Sequence, residues 1–157
     1  MCGESRTHST GTADDPPESR SPGPRSPAEV REAVRQALDS ARRSRGAGTA
    51  SGPGATADAT AVGDVLLVAS ELTTNAMLHG GGVTAFEVIP GEREVRLSVS
   101  DRSDEIPAPK RRAEGQGSPS IGGHGWPIIC LLARDIVISL LQAGGKRITA
   151  VVPLSPR

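Results

Sequence analysis

Three residues with reactive or ligating side chains, Glu71, Asn75 and His79, recur at intervals of four within "VASELTTNAMLHGGG". On an α-helix, residues four apart advance only about 40° around the axis, so the three form one slightly drifting row. The amide oxygen of Asn75 can ligate a hard cation, and a carboxylate one turn away can orient or deprotonate a hydroxyl. The plain alternative is a solvated polar edge. A second candidate is Asp101. In "REVRLSVSD", Val95, Leu97 and Val99 alternate with polar residues, and continuing by two lands on Asp101. An acid on the apolar face of a strand must find donors, because an unpaired buried carboxylate is expensive. It would suit a ligand's N–H, such as an exocyclic amine; the alternative is that the strand ends at Ser100 and Asp101 opens a turn. The third candidate is "GGHGWPII", residues 122–129. Glycines just before a helix let the backbone approach an anion, which then faces the helix's unsatisfied N–H groups.

These residues need elements to position them. The row of three sits on a helix beginning near Asp58 or Thr60, with Val62, Val65, Leu66, Ala69, Leu72 and Ala76 at helical period. Gly80, Gly81 and Gly82 end it. A shorter helix precedes it: Ser26 caps, Pro27 suits the first turn, Glu29 stands three on from the cap, and Val30, Val34 and Leu38 form a stripe. Between the two helices, residues 46–60 form a Gly/Ala/Thr-rich flexible linker. "VTAFEVI" and "REVRLSVSD" flank Pro90-Gly91-Glu92 as a hairpin. Residues 102–122 are polar, rich in Gly and Pro, and too long for a simple connection. "WPIICLLARD" reads as a third helix, and "IVISLLQ" with "RITAVVPL" closes the chain as a second hairpin around "AGGK". The order predicts an α+β two-layer sandwich: a mostly antiparallel mixed sheet with helices packed on one face. Residues 1–27, rich in Ser, Pro, Gly and charge, are expected to be a disordered tail.

Composition removes several classes. Formal net charge is zero, so no overall basic field attracts nucleic acid or an anionic membrane. The only aromatic residues are Phe86 and Trp126, too few for stacking on single strands. No apolar run approaches a transmembrane span, and no signal-peptide core is evident. Cys2 and Cys130 form neither a disulfide framework nor a zinc spacing. A cytoplasmic location is the default expectation. "HGGG" at 79–82 lacks the Gly-x-Ser-x-Gly partner of a lipase, and "GGKR" at 144–147 lacks the rest of a phosphate-binding loop.

Taken in order, the pieces resemble the GHKL (histidine kinase-like) ATPase domain, the superfamily of histidine-kinase catalytic domains and gyrase-type ATPases. Within it, the chain is most similar to the small stand-alone anti-sigma-factor serine kinase and ATP-binding regulator group. "SELTTNAMLHG" (70–80) matches that group's N box, "VSDRS" (99–103) stands where the first glycine box begins, and "GGHGWPIICLLA" (122–133) matches the second. The likeness covers roughly 27–154 and implies an ATP-binding domain over 28–157 with residues 102–122 as the ATP lid. It implies ATP and Mg²⁺ as cofactors. Asn75 would hold the metal between the phosphates, and Glu71 would be the catalytic base or orienting carboxylate. Asp101 would accept from the adenine amine, with Ser103 beside it and His79 at the helix end. Gly122, Gly123, His124 and Gly125 would line the phosphates. The implied function is transfer of the γ-phosphate to a serine of a partner antagonist protein, sequestration of a sigma factor, or both. The rival is a non-catalytic nucleotide-sensing module that binds proteins. Neither nucleic acid nor membrane is expected as a partner, and a homodimer is left open. Two departures stand out: Ser103 replaces a glycine of the first box, and Lys146-Arg147 stand where threonines are common.

Overall fold

The computed structural model describes residues 23–24, 26–44, 55–107 and 125–154, excepting the side chains of 55–58. The expected tail lies outside the described residues apart from its last few positions, as do most of the linker and residues 108–124.

Helix α1 spans Pro27–Ser44. Its start is the one the cap signal predicts: the Glu29 amide donates to Ser26 Oγ at 3.2 Å, satisfying a donor that the first turn leaves open. Val30, Val34 and Leu38 are buried along one stripe. Helix α2 runs Ala55–His79, so its start precedes Asp58 and the last six residues of the expected linker, 55–60, are helical. Alanine's high helix propensity, at Ala55, Ala57 and Ala59, offsets the poorer helix formers Thr56, Asp58 and Thr60.

α2 packs against α1, a third helix (α3, Gly125–Leu132) and the sheet. That crowding explains why burial spreads past one stripe: Ala61, Val65, Val68, Ala69, Leu72, Thr73 and Ala76 are all buried. Thr73 meets its polar obligation by donating from Oγ1 to the Ala69 carbonyl at 2.8 Å. By length and composition the stretch Ala59–His79 is apolar enough to cross a membrane, contrary to the expectation that no run comes close. Its apolar residues are accounted for by the core, where they meet Val30, Val34, Leu97 and Ile129.

Four strands follow the expected hairpin order: β1 Val83–Pro90, β2 Glu94–Asp101, β3 Asp135–Leu140 and β4 Lys146–Pro153. They lie in the order β1-β2-β4-β3, and each pairing is antiparallel, so the sheet contains no parallel pair among the described residues. The two hairpins join through β2 and β4. Their register sets Val95 opposite Val152, Leu97 opposite Ala150 and Val99 opposite Ile148, which makes one continuous apolar row facing the helices. The next residues in that row are Asp101 and Lys146. On the other face, Ser98 and Thr149 share a hydroxyl hydrogen bond at 2.9 Å. Pro127 stands third in α3, within the first turn where its missing N–H is tolerated. The resulting two-layer α+β sandwich is the predicted architecture.

Candidate functional site

The last third of α2 carries the predicted row. Glu71 and Asn75 are half-buried and His79 is exposed at the helix end. Among the described residues, none of the three side chains forms a hydrogen bond or ion pair to the protein. Glu71 and Asn75 meet the start of α3 instead. A Cβ built on Gly125 would run into Glu71 Oε2, with Asn75 Oδ1 at 3.5 Å. A glycine there lets the first turn of α3 sit against the pair without displacing the Glu71 carboxylate. The structure therefore brings Glu71, Asn75 and Gly125 together, whereas His79 is exposed at the helix end.

Beyond His79 the helix stops abruptly. The amides of Gly80 and Gly82 both donate to the Ala76 carbonyl, at 3.0 and 2.9 Å. Gly81 and Gly82 adopt φ of 73° and 105°, the left-handed region glycine enters without strain. This turn delivers Gly80 onto Asp101: a Cβ there would strike the carboxyl group, and the Arg102 amide donates to the Gly80 carbonyl at 2.8 Å.

Asp101 is the last residue of β2 and only 4% exposed, so the alternation that put it on the buried face holds and the strand does not end at Ser100. Its donors come from the protein. Lys146 Nζ lies 2.9 Å from both Oδ1 and Oδ2, and the Ser103 amide donates to Oδ1 at 2.9 Å. The ammonium also donates to the Ser103 carbonyl at 3.1 Å. Lys146 is as buried as its partner, with 5% of each side chain exposed. Gly145 makes the approach possible. It adopts φ of 88°, its amide donates to Asp104 Oδ1 at 2.6 Å, and a Cβ there would collide with the Asp101 carbonyl.

Lys146 is the site residue that sequence reasoning missed as a partner of Asp101. The signal that finds it is the β2–β4 register, which sets the two residues opposite each other on the apolar face. Gly122, Gly123 and His124 lie outside the described residues, and of the expected lid only residues 102–107 are described.

Asn75 supplies an amide oxygen, a hard donor of the kind Mg²⁺ takes, and leaves the Glu71 carboxylate one turn away to face a hydroxyl. One such group suffices only when waters and substrate phosphates complete an octahedron. The donor set fits a cation that arrives with a polyphosphate.

A helix-edge carboxylate and amide beneath a glycine-opened helix, beside a strand-end acid in a two-layer α+β sandwich, define a nucleotide-binding class of domain. The family model of the histidine kinase-like ATPase domain matches residues 23–152, and the chain belongs to that family. No curated protein and no solved structure matches the chain. Family membership implies ATP binding.

Proposed function

We propose that this protein is an ATP-binding regulator of the anti-sigma-factor type, which transfers the γ-phosphate of ATP to a serine of a partner antagonist protein, sequesters a sigma factor, or does both, in the cytoplasm. The observation that carries this reading is the Glu71–Asn75 pair. It is half-buried against Gly125 at the start of α3, and Glu71 has no internal partner among the described residues.

In that role the serine hydroxyl attacks the γ-phosphorus, the bond to the β-phosphate oxygen breaks, and ADP leaves. The Glu71 carboxylate orients the hydroxyl and accepts its proton. Asn75 would hold Mg²⁺, which neutralises charge on the phosphates when bound. Positioning and charge stabilisation dominate this chemistry, so a modest set of groups is enough.

The test is transfer of labelled γ-phosphate to small antagonist proteins supplied one at a time, with wild type and Glu71→Ala compared. The expected result is a phosphoserine on one antagonist with wild type, and its loss with Glu71→Ala while ATP binding persists. Saturable ATP binding with no labelled serine on any antagonist overturns the kinase reading. A second reading then takes its place: a nucleotide-sensing module that exchanges protein partners without chemistry. The altered first glycine box, with Ser103, and the basic final turn at Lys146-Arg147 favour that second reading.

A further inference from the structure

The base end of the site differs from the phosphate end in that both oxygens of its acid already hold protein donors and one of them is covered by Gly80. An ammonium has three N–H donors, and here they are directed to Asp101 Oδ1, Asp101 Oδ2 and the Ser103 carbonyl. Asp101 Oδ1 also takes the Ser103 amide. Gly80 stands over the other oxygen, close enough that a Cβ there would touch Oδ2. The pair is held on both sides, by the α2 terminus and by the turn at Gly145. A ligand N–H arriving at Asp101 meets a carboxylate already satisfied and neutralised by a cation.

We infer that Lys146 is the residue that sets base specificity at this site: by neutralising Asp101 and occupying both of its oxygens, with Ser103 and Gly80 closing in on the rest, it removes the acceptor that would select a 6-amino purine, so 6-amino and 6-oxo purine nucleotides bind with similar affinity. This rests on the nucleotide reading proposed above.

The physical argument concerns what each base leaves unpaired. In a site with a bare buried carboxylate, a 6-oxo base sets a carbonyl oxygen against that charge and strands it. A site built to hydrogen-bond an N–H rejects the analogue lacking it by factors of about 10⁴–10⁵ for this reason. With Lys146 in place the carboxylate keeps its donors whichever base enters. The 6-amino group gains nothing there, and the 6-oxo group loses nothing.

The experiment is calorimetric titration of the full chain with Mg·ATP and with Mg·ITP, whose hypoxanthine replaces the 6-amino group by an oxygen. Wild type is expected to bind the two within about threefold of each other. Lys146→Arg, which keeps a cation at Asp101, should behave like wild type. Lys146→Met frees the carboxylate and should shift the ratio toward ATP by about tenfold or more. If that variant does not fold, wild type still decides the matter. A wild-type preference for ATP of about tenfold or more overturns the inference.

Amine acylation offers a second readout, because the chain has only two lysines, Lys110 and Lys146. Lys146 should stay protected with and without saturating Mg·ATP. Its becoming reactive when nucleotide binds would mean the base expels the ammonium, which also overturns the inference. Should neither nucleotide bind the folded wild type, the nucleotide reading itself falls and takes this inference with it. Discrimination by a wild type that does bind sinks the inference alone.

Discussion

The domain places two acids beside the end of one helix and treats them in opposite ways. Glu71 is half-buried and has no protein partner among the described residues, and the neighbouring backbone is a glycine packed close against its carboxylate. Asp101 is buried, receives donors on both oxygens and is walled in by two more glycines. The first arrangement keeps a charge ready for something that arrives. The second turns a charge into part of the fold. A carboxylate near a cleft is thus not informative until its donors are counted.

The comparison is tested most severely at Lys146. Replacing it by alanine leaves a buried carboxylate with only the Ser103 amide, and breaking one side of a buried pair typically costs about 3–5 kcal/mol. Urea unfolding of Lys146→Ala should show a loss of that size. Replacing both partners, Asp101→Asn with Lys146→Met, keeps an acceptor for Ser103 and removes both charges. Most of the stability should return. A single variant within about 0.5 kcal/mol of wild type would show that the pair is not the structural element its burial suggests.

Matching glycine substitutions sharpen the contrast. Gly80→Ala and Gly125→Ala both push a methyl group at a carboxylate. At Gly80 the carboxylate is pinned by Lys146 and Ser103, so it cannot yield, and overpacking of this kind costs about 1–3 kcal/mol. At Gly125 the obstacle is the end of the Glu71 side chain, which has no partner among the described residues and can swing away. Thermal melts should therefore place Gly80→Ala well below wild type and Gly125→Ala close to it. Equal losses in the two variants would mean that Glu71 is as rigidly held as Asp101.

The same difference explains what could be read from the chain beforehand. Local signals carried the helix cap at Ser26, the row on α2, both hairpins and the buried position of Asp101, because each depends on residues near in sequence. The partner of Asp101 did not follow, since Lys146 reaches it only through the pairing of β2 with β4, a contact between hairpins 45 residues apart. A period-2 pattern gives the face of a strand but leaves its neighbour and register open. The early start of α2 was hidden for another reason: "ATADAT" mixes good and indifferent helix formers, and its Gly-rich flank suggested a linker. Thr73 and Val68 escaped the predicted stripe because α2 is packed on several sides, so its burial does not follow one face.

The smallest stability effect belongs to Glu71, and it is the most telling. A side chain with no partner among the described residues can be removed without stranding one of their donors, so Glu71→Ala should melt within about 0.5 kcal/mol of wild type. If its carboxylate accepts the serine proton, transfer should fall by about 10²–10⁴-fold while the affinity for ATP barely moves. The two measurements together separate a residue held for chemistry from one held for the fold. A large loss of stability in Glu71→Ala would erase the distinction between the two acids, and the helix edge would then be structural at both ends.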